Sequence, residues 1–261
     1  MILAIETATR ICSVALFDAT GVKGVLESAE ENAHSRILNV LIDRLMKDLG
    51  MELKELSAVA VSKGPGSYTG LRIGVSAAKG LCYAKDLPLI AVNTLESMAF
   101  GLREVVESYL KGGFPIAGMK QGVKIVNSKG EPLPAGEDSA GQSILYVPMI
   151  DARRMEVYSA IFDQNTNIIR ETEAEIIAAD SFSNYKDRKL ILGGDGAGKC
   201  KGILSGDNIY FLPETFNTSA RFMQYAALKA LEEKHFEDTA YFEPYYLKDF
   251  IAGKPKVKGL E

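Results

Sequence analysis

KGPGSYTGLRIGVSAAKGL, residues 63–81, sets a glycine-rich turn against the start of a helix, and its reading decides the rest. The turn, Gly64-Pro65-Gly66-Ser67-Tyr68-Thr69-Gly70, lies between an apolar strand-like run at 56–62 and a helical stretch at 69–84. Its spacing is GxGxxxG, which is neither the dinucleotide fingerprint nor a Walker P-loop. Glycines here allow positive φ and close backbone approach, and a helix N-terminus can hold an anion. The helix is the sharper clue. Gly70, Gly74, Ala78 and Cys82 recur every fourth residue as a stripe of small side chains. Each interior Gly costs about 1 kcal/mol against Ala, so another backbone should pack close. Leu71, Ile73, Val75, Ala77, Leu81 and Tyr83 surround the stripe. A helix apolar all round is buried all round. Either the helix is buried wholly within this chain, or one side meets a sheet and the other a partner protein, which is the reading expected here.

The preceding helix, 32–49, carries the same surplus. His34, Leu38, Leu41, Ile42, Leu45, Met46 and Leu49 cover more than one core face, Val40 lies outside even that arc, and Gly50 ends the helix. Two such helices form half of an intermolecular bundle. A lone His34, with no His, Asp or Glu four residues on, makes a poor metal ligand.

Outward from these helices the period changes. Residues 1–6, 11–18 and 22–29 read as three antiparallel strands joined by polar turns. A strand at 89–92 and a helix at 95–110 complete the order βββαβαβα, that of a ribonuclease-H-like unit. Residues 112–141 hold seven Gly and three Pro, with one short strand candidate at Val123–Val126, and read as an insertion or mobile loop. Strands resume at 144–150, 156–162, 168–177, 190–194 and 209–212, and a helix follows at 219–235 with Thr218 or Ser219 as its cap. The second half repeats the first in abbreviated form. The fold expected is α/β: two ribonuclease-H-like domains of the actin-like ATPase type, mixed sheets flanked by helices. The expected boundaries are 1–110, an insertion at 111–143, a second domain at 144–217, and a C-terminal helix and tail at 218–261 that pack back on the first domain.

Composition narrows the function. The chain of 261 residues carries a net charge of −4, which argues against a stand-alone nucleic-acid binder. Cys12, Cys82 and Cys200 are too scattered for a disulfide framework or a zinc knuckle. No apolar run reaches the ~18 residues of a membrane span. The start, MILAIETATR, lacks a signal peptide's basic and apolar regions, so a cytoplasmic protein is expected.

Three further stretches bear on catalysis. Glu6-Thr7-Ala8-Thr9 ends the first strand where actin-like ATPases face phosphate and metal; it also reads as an ordinary hairpin turn. The hairpin Asp151-Ala152-Arg153-Arg154 has bulk and charge where a second phosphate turn needs Gly, Ser or Thr. Gly193-Gly194-Asp195-Gly196-Ala197-Gly198-Lys199-Cys200 nearly spells a P-loop, but Cys200 replaces the metal-binding hydroxyl. Its position matches better the place where actin-like folds admit adenosine; a plain glycine loop fits equally. Glu6, Thr7, Thr9, Gly193, Gly194 and Gly196 are therefore candidate vestigial nucleotide contacts.

The glycine-rich turn and helix, with ILAIETAT, Ala33-His34-Ser35, DARRMEVY at 151–158 and Glu243-Pro244-Tyr245-Tyr246-Leu247, resemble the TsaB (YeaZ) family. The resemblance covers most of the chain apart from 112–141. It implies a non-catalytic, inactive peptidase-like paralogue of the TsaD enzyme, needed to form threonylcarbamoyladenosine beside the tRNA anticodon. It implies a TsaD-like partner, a TsaE-like ATPase in the same complex, homodimers when alone, and tRNA met only indirectly. It also implies a partner surface on the first two helices: His34, Ser35, Leu38, Leu41 and Leu45 on one, Arg72, Ile73, Gly74, Ala77, Ala78 and Leu81 on the other. Neither a metal nor a required cofactor is expected; ATP or ADP would bind weakly or at the partner interface. The competing reading is an actin-like ATPase or small-molecule kinase using Glu6, Thr7 and Gly193 to Gly198. No Ser/His/Asp set or metal pair supports a peptidase.

Overall fold

The computed structural model describes residues 1–30, 33–112, 123–134 and 143–248. Alternation along the first strand sets the layering. In β1 (Ile2–Glu6), Leu3 and Ile5 point to one face and Ile2 and Ala4 to the other, all buried. A strand buried on both faces reads as a continuous apolar run. β2 (Cys12–Asp18) and β3 (Gly21–Ser28) pair antiparallel beside it. β4 (Ala58–Gly64) and β5 (Leu89–Asn93) add in parallel, giving the order β3-β2-β1-β4-β5.

Helices α1 (His34–Asp48) and α2 (Tyr68–Lys85) cover one face, with Leu38, Ile42, Leu45, Val75 and Ala78 against Leu3, Ile5, Val14 and Val61. Gly50, at φ 62°, lies just past α1 and lets the chain reverse. Ser67 caps α2, its hydroxyl accepting from the Gly70 N–H at 3.3 Å. Asp86, at φ 52°, ends it in the left-handed conformation.

The second sheet has the order β6-β11-β10-β7-β8-β9. Its strands are β6 (Val126–Asn127), β7 (Ile144–Asp151), β8 (Glu156–Phe162), β9 (Ile168–Ile176), β10 (Lys189–Gly193) and β11 (Ile209–Phe211). From the β9 edge it repeats the first sheet: three antiparallel strands, then two parallel ones, with β6 added. These are two ribonuclease-H-like units.

Three expectations change. Helix α3 (Thr94–Leu110), capped by Asn93, buries Leu95, Met98, Leu102 and Val105 mainly against the second sheet, so a boundary at 110 cuts through a packed core. Within 111–143 the described part is no free loop: Ile125 and Leu133 are buried and β6 pairs with β11. Residues 113–122 and 135–142 lie outside the described residues. The helix read at 219–235 divides into a 3-10 turn (Ala220–Met223) and α4 (Gln224–Glu232). Ala220, Met223 and Ala227 cover the second face of the first sheet.

Leu16→Ala, a fully buried truncation under α1 and α2, is expected to lower the thermal midpoint by on the order of 10 °C. Val40→Ala, at a side chain 61% exposed, shifts it by at most about 1 °C. Calorimetry of the two variants checks the pair.

Candidate functional site

The glycine-rich turn seats α2 on the end of β1. The Gly64–Pro65 bond is cis, and Gly64 has φ 114°. The Ser67 N–H donates to the Ala8 carbonyl at 2.6 Å. A Cβ on Gly66 would collide with Ala8, one on Gly70 with the Thr7 carbonyl, and one on Gly74 with the Thr7 hydroxyl. Ala78 and Cys82 continue the stripe into the core. The backbone that the small residues admit therefore belongs to this chain. Gly74 and Ala78, expected on a partner, are interior positions, and so are Leu38 and Leu45.

The other expected interface residues stay accessible. Ser35 and Arg72 are exposed; His34, Leu41, Ile73, Ala77 and Leu81 are half-buried. The His34 Nε2 lies 3.0 Å from the Thr9 carbonyl oxygen, a structural tie between α1 and the β1 turn. Between the helices runs a groove of about 650 Å³, with Ser35, Asn39, Arg72, Ile73 and Ala77 along it. Val40 is exposed and Ile37 half-buried elsewhere on α1, and neither lines the groove.

At one end of the groove stands an aromatic stack. The Arg72 guanidinium lies 4.4 Å from the Tyr68 ring centre, its Nε donates to the Tyr246 hydroxyl at 3.1 Å, and the Tyr68 and Tyr246 rings lie 4.8 Å apart. Tyr246 belongs to a C-terminal strap, residues 236–248. Glu237 bridges to Leu89 of β5, Lys79 of α2 donates to the carbonyls of Ala240 and Phe242, and the Tyr245 N–H donates to the Lys63 carbonyl at 2.7 Å. Lys248 then pairs with Glu156 of the second unit. The strap lies within the tail expected to pack back on the first unit, and it also reaches the second unit through Lys248.

Strap, turn and hairpin enclose a cleft of about 690 Å³ between the two units. Thr9 and Arg10 line one side, Asp151, Arg153, Tyr158 and Asp195 the other. The Thr9 and Thr218 hydroxyls share a 2.6 Å hydrogen bond. Asp195 accepts the Asp151 N–H at 2.9 Å, and burial raises its carboxyl above the usual range. Arg153 and Arg154 sit at φ 70° and 54°, a pair of left-handed residues where hairpins ordinarily take Asn-Gly.

Of the candidate nucleotide contacts, only Thr9 reaches this cleft. Glu6 is fully buried, one carboxylate oxygen accepting the Ala8 N–H at 2.6 Å and the other without a partner. Burial pushes its carboxyl up to about 7, against the hydrogen bond from Ala8. The Thr7 hydroxyl is buried beneath Gly74. Gly193 packs on Leu102, Gly194 on the Met149 carbonyl and Gly196 on Ile150. These residues hold the core and the turn after β10 and do not face the cleft. Among the described residues, no group of three or more His, Cys, Asp or Glu is placed to hold a metal. None of the described helices is long and apolar enough to cross a membrane.

Residues 9–117 match the family model "TsaD: tRNA N6-adenosine threonylcarbamoyltransferase". Over 271 aligned positions the chain is 30% identical to the tRNA threonylcarbamoyladenosine biosynthesis protein TsaB of Escherichia coli (strain K12), covering 100% of this chain and 99% of that one. It is 28% identical to TsaB of Bacillus subtilis (strain 168) over 74% of this chain and 71% of the other. The solved structure of YeaZ from Pseudomonas aeruginosa superimposes with a TM-score of 0.69 at 20% identity, covering 94% of this chain and 99% of that one.

Gly74→Ala is expected to destabilise the chain by about 1–3 kcal/mol in urea titrations. Thr7→Ala in the same chain restores part of that loss, because the contact is with the Thr7 side chain. Glu6 gives a pH signature. Its carboxyl is raised in the folded state, so its contribution is fully present below pH ~4.5, falls as pH rises, and is gone above about 7. Glu6→Gln lacks this fall, and the variant gains on wild type between pH 5 and 8 in thermal melts.

Proposed function

The chain belongs to the TsaB family of tRNA threonylcarbamoyladenosine biosynthesis proteins, and on that premise we propose that it is a non-catalytic subunit that binds and supports a TsaD-like threonylcarbamoyltransferase. The observation that carries the reading is the accessible apolar surface of α1 and α2 around its groove. Leu41, Ile73, Ala77 and Leu81 remain partly uncovered although the sheet beneath is already filled. A two-helix surface of this kind completes a four-helix contact with a matching pair. The same surface serves for homodimers when the partner is absent. A TsaE-like ATPase joins the assembly, tRNA is met through the complex, and the setting is the cytoplasm.

This role asks for no cofactor on the isolated chain. An ATPase or kinase of this fold needs its carboxylate at the nucleotide, whereas Glu6 is sealed below the turn, and Thr9 alone of the expected contacts lines the cleft. That geometry favours the partner role over the enzyme.

Ile73→Asp places a charge in the middle of the apolar groove. It is expected to weaken binding of the TsaD-like protein of the same organism by roughly 100-fold, with circular dichroism unchanged because Ile73 is only half-buried. Titration calorimetry measures it; wild-type affinity in this variant would remove α1 and α2 from the interface. Ala78→Arg, at a fully buried position, is expected to unfold the chain instead.

A further inference from the structure

We propose that the cleft between the two units continues the partner surface and receives an acidic segment of the same partner protein. This inference rests on the partner role proposed above and adds the chemistry of a second contact. The first ground is continuity. Ser35, Tyr68, Thr69 and Ile73 border both the helix groove and the cleft. A protein lying along α1 and α2 reaches the mouth of the cleft without crossing open surface.

The second ground is charge. The carboxylates of the cleft are already engaged within the chain. Asp151 pairs with Lys199 and also accepts the Arg153 N–H at 2.8 Å. Asp195 accepts the Asp151 N–H, and Glu156 pairs with Lys248. The guanidinium groups are not matched in this way. Among the described residues, Arg10 and Arg153 make no ion pair, and Arg10 affects Asp195 only at longer range. Arg72, at the junction with the groove, has the Tyr246 hydroxyl and the Tyr68 ring but no carboxylate within ion-pair distance. A chain of net charge −4 thus keeps a cationic recess beside an apolar groove.

Guanidinium is the group that takes a carboxylate in two parallel hydrogen bonds. Three such groups are too few for stand-alone nucleic-acid affinity on an acidic protein. They suffice for a segment delivered by helices already docked, since the second contact is then intramolecular.

The test compares wild type, the double variant Arg10→Gln with Arg153→Gln, and Ile73→Asp. Each is titrated with the TsaD-like protein of the same organism at low and high NaCl. Arg10 and Arg153 are exposed, so the double variant folds. The expected result is wild-type affinity that falls with salt, and a double variant roughly tenfold weaker at low salt with most of the salt dependence gone. A double variant with wild-type affinity and salt slope, while Ile73→Asp still breaks the complex, overturns the acidic-segment inference and leaves the helix interface standing. Loss of neither interaction overturns the interface reading itself. A double variant that binds the protein partner normally but loses affinity for an anticodon stem-loop RNA assigns the cleft to nucleic acid and also overturns the inference.

Discussion

The close approach of α2 to the Thr7–Ala8 backbone fixes the geometry of everything around it. Bare backbone at Gly66, Gly70 and Gly74 lets the helix rest on the end of β1, and a methyl group at any of these would lift it. With the helix in that place, Ile73 and Ala77 flank the groove beside α1, and Tyr68 and Arg72 meet the strap. His34, tied to the Thr9 carbonyl, holds α1 to the same turn. One dense contact sets the spacing of both helices, the mouth of the cleft and the course of the C-terminal strap.

Much of this fold was legible in the chain. Apolar runs joined by polar turns marked strands of both sheets, and Gly50 and Ser219 marked helix ends. The repeat of two ribonuclease-H-like units followed from strand and helix order, without sequence similarity between the halves. The small-residue stripe was also visible, but its direction was not. Spacing shows that a backbone approaches; it does not distinguish the Thr7 segment of the same chain from a partner. Gly74 and Ala78 were misplaced for that reason; Leu38 and Leu45 lie on the core face of α1, which its wide apolar arc does not separate from the outer face.

The individual ties of the strap and the burial of Glu6 escape a sequence reading for different physical causes. Residues 236–248 have no hydrophobic period, and many of their ties run to main-chain carbonyls, as from Lys79 to Ala240 and Phe242. Any sequence of suitable length offers such acceptors. Glu6 reads as an acid of the turn after β1, facing phosphate and metal or closing a hairpin, yet in the fold it is fully buried with its carboxylate on the Ala8 N–H. Its burial is a property of long-range pairing, and its raised carboxyl follows from that burial.

The far face of the first sheet has a consequence for synthesis. Ile2, Ala4, Ala15, Phe17 and Ile90 are covered by Ala220, Met223 and Ala227, which lie more than a hundred residues later. At ribosomal rates of roughly 5–20 residues per second, that apolar face stands open for on the order of ten seconds after β5 has emerged. A chain that stops before residue 220 lacks Ala220, Met223 and Ala227, and this face of the sheet keeps its apolar side chains without that cover.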